Sequence, residues 1–132
     1  MNTPFLIANI LTFIAFTLHA FIGDKELKLI EPNNSDETTF SEQEKWTMAR
    51  CGWHWVSFDL LFISIGISII NFTDYLSSEQ MLLDILTLYF VGYGIVWLLG
   101  VAISKTFPKN YFKLGQWMLL WLVACLIFMG QG

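Results

Sequence analysis

Charge is scarce in this chain of 132 residues: charged side chains make up 14%, where a soluble domain carries roughly a quarter. The shortage places the chain outside the ordinary globular class, and nothing in it resembles a nucleic-acid surface. Basic residues are absent before Lys25 and after Lys113. Only two histidines occur, His19 and His54, without a His-x-x-x-His or Glu-x-x-His pattern. No phosphate loop, nucleophile elbow, strong internal repeat or low-complexity segment is present. Enzymatic function therefore has little support: neither histidine is joined by a second acid or a nucleophile.

What is present is apolar. Hydrophobic residues make up 55% and aromatics 17% of the chain, and its mean hydropathy is +0.57. Four apolar runs account for this: Phe5 to Ile22, Ala49 to Phe72, Met81 to Ile103 and Tyr111 to Met129. Each is near the ~20 residues that carry a helix across a ~30 Å hydrocarbon layer. Without strict alternation of polar and apolar residues, helices are the expected solution. The pattern predicts an all-α integral membrane four-helix antiparallel bundle, one transmembrane domain over 1–132, with helices at about 4–22, 42–72, 79–104 and 108–129. The first run lacks a preceding basic residue and a clear small-x-small cleavage site, so it is expected to stay as a helix rather than act as a signal peptide.

The basic residues suggest an orientation. Lys25, Lys28, Lys45 and Arg50 flank the first connection, and Lys105, Lys109 and Lys113 flank the third. Loops rich in Lys and Arg stay cytoplasmic, which predicts both termini outside. The acidic cytoplasmic loop 23–41 carries Asp24, Glu26, Glu31, Asp36 and Glu37 around Pro32-Asn33-Asn34. It reads either as solvated chain or as a docking surface for a basic protein partner or a lid over the bundle mouth. Ser41-Glu42-Gln43-Glu44 has the form of a capping box for the second helix. Ser77-Ser78-Glu79-Gln80 looks similar for the third, and Pro108 suits the first turn of the fourth.

Along the second run, Thr47, Arg50, His54, Ser57, Ser64, Ser68 and Asn71 recur at steps of three and four, with Leu61 filling the missing step. That is one stripe of a helix, and polar groups in hydrocarbon must face protein or water. On the first helix, Asn9, Thr12, Phe16, His19 and Gly23 follow the same spacing. In the predicted topology His19 and His54 lie at similar depth, with Arg50 one turn from His54. Gln116 is expected at that level from helix 4, and Glu26 is close enough in sequence to be able to fold back from the loop.

Two facing imidazoles suit the axial positions of haem b, or a divalent metal completed by Glu26 or water. Arg50 would oppose a cation and suit an anion, such as a haem propionate or a lipid phosphate. The plainer reading is that both rings hydrogen-bond within the bundle and fasten helices 1 and 2.

Asp59 lies about ten residues into helix 2 and ~140° from His54 around the helix. It suits either a proton or cation relay or a packing carboxyl against Tyr89, Tyr93 or Trp97. Asp84 reads as structural near the outer end of helix 3. Cys51 and Cys125 differ in depth by most of the membrane, which is beyond disulfide reach. Gly92, Gly94, Gly100 and Ser104 leave helix 3 with little side chain, compatible with close packing within a protomer or in a homo-oligomer. Trp46, Trp53, Trp117 and Tyr111 have the distribution of an interfacial aromatic belt.

The arrangement His19-Ala-Phe-Ile-Gly23, then a variable loop, then Trp53-His54 and Gln116-Trp117, resembles small uncharacterised four-helix bacterial inner-membrane proteins. The resemblance implies a multi-pass protein of the bacterial inner membrane and no particular activity. Three functions follow: a non-enzymatic accessory, assembly or interaction protein; a haem- or metal-binding protein using His19 and His54; or a small oligomeric transporter using Asp59. Small drug exporters share the size and helix count. They place their essential acid in helix 1, where this chain has none, and many insert in both orientations, against which the basic residues argue.

Overall fold

A computed structural model describes residues 1–32, 39–75, 79–105 and 110–132, and among them every regular element is helical. Helix α1 runs continuously over Thr3–Lys28. It is α-helical over Thr3–Thr17, widens to a π-helix over Leu18–Gly23 and closes with one α-turn at Asp24–Lys28. Helix α2 spans Phe40–Phe72, α3 Glu79–Ile103 and α4 Gln116–Gly130. The first three are long and apolar enough to cross a membrane. At 15 residues, α4 reaches ~22 Å, short of a ~30 Å hydrocarbon core.

Exposed apolar surface fits that setting. On α2, Trp55, Phe58 and Phe62 are 75%, 64% and 65% exposed. Ile65, Ile69 and Phe72 extend the exposed face at steps of three and four. Such a face costs ~25 cal/mol per Å² in water and nothing comparable in lipid.

Three boundaries differ from the sequence reading. Helix α1 continues beyond Ile22, so Asp24 and Glu26 lie on helical turns rather than in the loop. The capping box of α2 is formed two residues earlier, by Thr39 and Glu42. The Thr39 amide donates to Glu42 Oε2 at 2.9 Å, and the Glu42 amide donates to Thr39 Oγ1 at 3.3 Å. Helix α4 begins at Gln116, because residues 111–115 form turns instead. Trp97 Nε1 donates to the Leu114 carbonyl at 3.0 Å and Trp117 Nε1 to the Tyr111 carbonyl at 2.9 Å. These indoles satisfy carbonyls for which a longer helix would have supplied backbone partners. Ser77, Ser78 and Pro108 lie outside the described residues.

The residues form two compact units, Met1–Asn9 with Ile67–Gly132, and Ile10–Gly66. The first is packed chiefly by α3 and α4. Phe90, Ile67, Ile127 and Val123 are its largest fully buried side chains. Gly94 admits Trp121: a Cβ there would run into the indole, whose Nε1 donates to the Val91 carbonyl at 3.3 Å. The second unit buries Thr12, Ser57, Ile63 and Ser64, and it contains the candidate site.

Candidate functional site

The π-helical stretch determines which side chains of α1 reach α2. A π-helix bonds residue i to i+5, so residues five apart come onto neighbouring turns of one face. His19 and Asp24 have that spacing. On a regular α-helix they would diverge by ~140°. Here both meet the polar stripe of α2.

His19 Nδ1 lies 2.9 Å from Ser57 Oγ, and Ser57 Oγ lies 3.3 Å from the Trp53 carbonyl. With the hydroxyl proton on the Trp53 carbonyl, the oxygen accepts from His19 Nδ1–H; this hydrogen-bond network corresponds to the Nδ1–H tautomer. The His19 ring stacks on Trp53 with centroids 3.9 Å apart and planes 8° from parallel. Trp53 Nε1 donates to the His19 carbonyl at 2.9 Å, supplying a partner to a backbone group of the widened turn. Gly23 completes the clamp, since a Cβ there would overlap the Trp53 ring. Imidazole, indole and glycine thus hold α1 and α2 together.

One turn on, Asp24 gathers basic side chains. Arg50 Nε donates to Oδ1 at 3.0 Å and Arg50 Nη2 to Oδ2 at 3.4 Å. His54 Nε2 lies 3.1 Å from Oδ1, and Lys28 Nζ 3.0 Å from Oδ2. The Asp24 side chain is 15% exposed, against 30% for Arg50 and 46% for His54. It lies beyond the apolar run that ends at Ile22. Hydrogen bonds from Lys28, then Arg50, with the attraction of both charges, hold its carboxyl down at about 2. Arg50 Cζ also lies 5.4 Å from the Trp46 ring centroid, within cation–π range. Trp46 Nε1 donates to the Leu27 carbonyl at 3.4 Å.

The structure thus brings His19, Arg50 and His54 into one unit with Asp24, Trp53 and Ser57. Glu26 is exposed on the turn after Gly23. No group of three or more His, Cys, Asp or Glu able to hold a metal occurs among the described residues, so His19, His54 and Glu26 are not gathered as a ligand set. Asp59 is half-buried on α2, and Gln116 is the exposed first residue of α4. Cys51 and Cys125 are free thiols. The stripe of α2 is inward only in part: Ser57, Ser64 and Asn71 are buried and Arg50 and Ser68 half-buried, while His54 and Thr47 are exposed, Thr47 donating to the Gln43 carbonyl at 2.8 Å.

Comparison with protein-family models, curated proteins and solved structures finds no match.

Proposed function

We propose that the chain is a non-enzymatic accessory, assembly or interaction protein of a bacterial inner membrane, with four membrane helices, the short α4 completing its passage through the turns at 111–115, and both termini outside. The observation that carries this reading is the use of its polar side chains. Arg50, His54 and Lys28 converge on Asp24, and His19 is engaged by Ser57 and Trp53. These contacts join helices and leave the aromatic face of α2, at Trp55, Phe58 and Phe62, exposed for lipid or another membrane helix. The orientation rests on the placement of the seven basic residues.

A second reading, haem or metal binding, has one specific observation in its favour. Each imidazole has one nitrogen in a hydrogen bond that would orient it as a ligand, His19 through Ser57 and His54 through the Asp24 carboxylate. Metal-bound histidines are commonly supported in this way.

Purification from the native membrane in mild detergent separates the two. The accessory reading expects a stoichiometric protein partner and a colourless preparation. A Soret band, or a bound metal, lost in both His19→Ala and His54→Ala would establish the second reading instead.

A further inference from the structure

The charges around Asp24 do not balance. Its single carboxylate is met by Lys28 and Arg50, each at 3.0 Å, so one positive charge is in surplus. His54, 3.1 Å away, adds another when protonated. Lys25 and Glu26, exposed on the same turn of α1, cancel each other. Arg50 engages Asp24 through its Nε–Nη2 edge, which leaves the Nη1–Nη2 edge of the guanidinium for a second acceptor. Lys28 keeps two of its three ammonium hydrogens beyond the one directed at Asp24. With side chains 51% and 30% exposed, both residues are open to an anion.

A second observation lies along α2. Arg50, His54, Phe58 and Phe62 recur at steps of four, and residues so spaced form one ridge with a drift of only ~40° per step. Phe58 and Phe62 are exposed, and their rings stack with centroids 6.0 Å apart and planes 17° from parallel. From His54 to Phe62 the ridge runs ~12 Å, within the ~15 Å that one leaflet contributes to a ~30 Å hydrocarbon core. The apolar run of α1 ends at Ile22 and that of α2 starts at Ala49, so in a bilayer Asp24, Lys28 and Arg50 meet the head groups. The ridge is basic at that boundary and aromatic beneath it, which is the polarity of an anionic phospholipid.

We propose that this ridge holds one anionic phospholipid, with its phosphate on Arg50 and Lys28 and an acyl chain along Phe58 and Phe62. The inference rests on the membrane setting of the proposed function and adds a ligand to it. A free guanidinium edge takes two phosphate oxygens at once, while Lys28 supplies a point charge. The surplus charge disfavours zwitterionic phosphatidylcholine, which would bring its own quaternary ammonium beside Lys28 and Arg50. Inorganic phosphate offers the same oxygens but leaves Phe58 and Phe62 uncovered, which makes the lipid the occupant.

The full-length protein is reconstituted in nanodiscs of equal phosphatidylglycerol and phosphatidylcholine with matched chains. Failure to enter the discs overturns the membrane setting and this proposal with it; every later arm bears on the proposal alone. Native mass spectrometry reads the lipid retained on release, and phosphatidylglycerol should exceed phosphatidylcholine by about tenfold or more. Lys28→Gln/Arg50→Gln, with melting as its folding control, should abolish the preference. Lys28→Gln alone spares the Arg50–Asp24 pair and stands in if the double variant does not fold; it should lower the preference roughly threefold. Lys105→Gln removes the same charge from an exposed residue after α3 and should leave the preference unchanged. Equal retention of the two lipids overturns the proposal. So does an equal loss in Lys28→Gln and Lys105→Gln, which would mean general attraction to charge. Release of the retained lipid by inorganic phosphate at constant ionic strength would make the free anion the ligand and overturn the lipid as occupant.

Discussion

The two units hide different chemistry. Ile10–Gly66 buries three hydroxyl side chains, Thr12, Ser57 and Ser64, beside Ile63. The other unit closes around apolar side chains such as Phe90, Ile67 and Ile127. An apolar interior is held by shape and fails when volume is lost. A polar interior is held by reciprocal hydrogen bonds and fails when one partner goes. Both units share one device, a glycine that admits an indole: Gly94 for Trp121 and Gly23 for Trp53.

The largest expected effect is in the apolar unit. Phe90 is 1% exposed, and Phe90→Ala should destabilise by about 3–5 kcal/mol through the cavity it leaves. Reversible unfolding in mixed micelles measures this. Next comes Gly23→Ala, which drives a methyl into an indole held by stacking and by a hydrogen bond; about 1–3 kcal/mol is expected. Gly100→Ala is its control, because a Cβ there meets open space and helix propensity favours Ala by up to ~1 kcal/mol. Equal effects at both glycines would show that the Trp53 clamp is not rigid. Ser57→Ala removes the acceptor of His19 Nδ1–H at a cost of about 1 kcal/mol. Nitrogen NMR of the imidazole should then show the Nδ1–H tautomer losing its preference; an unchanged tautomer would remove Ser57 as the orienting group.

The part of the α2 stripe from Ser57 onward was legible because α2 is regular: three-four spacing maps onto one face, and Ser57, Ser64 and Asn71 are buried, whereas Thr47 and His54 at its start are exposed. Asp24 was not legible as the hub of the site. Its register with His19 depends on the π-helical turn at Leu18–Gly23, and hydrophobic periodicity assumes ~3.6 residues per turn throughout. The cap of α2 shows a different limit. Thr39-x-x-Glu42 and Ser41-x-x-Glu44 both satisfy the capping pattern, so local spacing alone does not choose between frames two residues apart. The start of α4 depends on indoles of α3 and α4 bonding to turn carbonyls, contacts invisible to a local reading. Gly23 was visible only as a member of a stripe; its need for space comes from Trp53, thirty residues on.

The last predicted effect concerns Asp24, the most strongly perturbed carboxyl among the described residues, and has a defined sign. Asp24 is held at about 2 in the folded protein, against ~3.9 for an unperturbed aspartate. A carboxyl lowered by folding adds stability above its unfolded value and loses it as pH falls through the folded value. The stability difference between the native sequence and Asp24→Asn should thus be steady above about pH 5 and shrink toward pH 2. Taking the difference cancels the titration of the other carboxylates. Added salt should also shrink it, since Lys28 is 51% exposed and Arg50 30%, where counterions screen the pairs. Acid unfolding of both forms at low and high salt measures each dependence. Curves that stay parallel to pH 2 would mean that Asp24 only gathers its cations and contributes no stability. The load in Ile10–Gly66 would then fall on the neutral contacts of Ser57, His19 and Trp53.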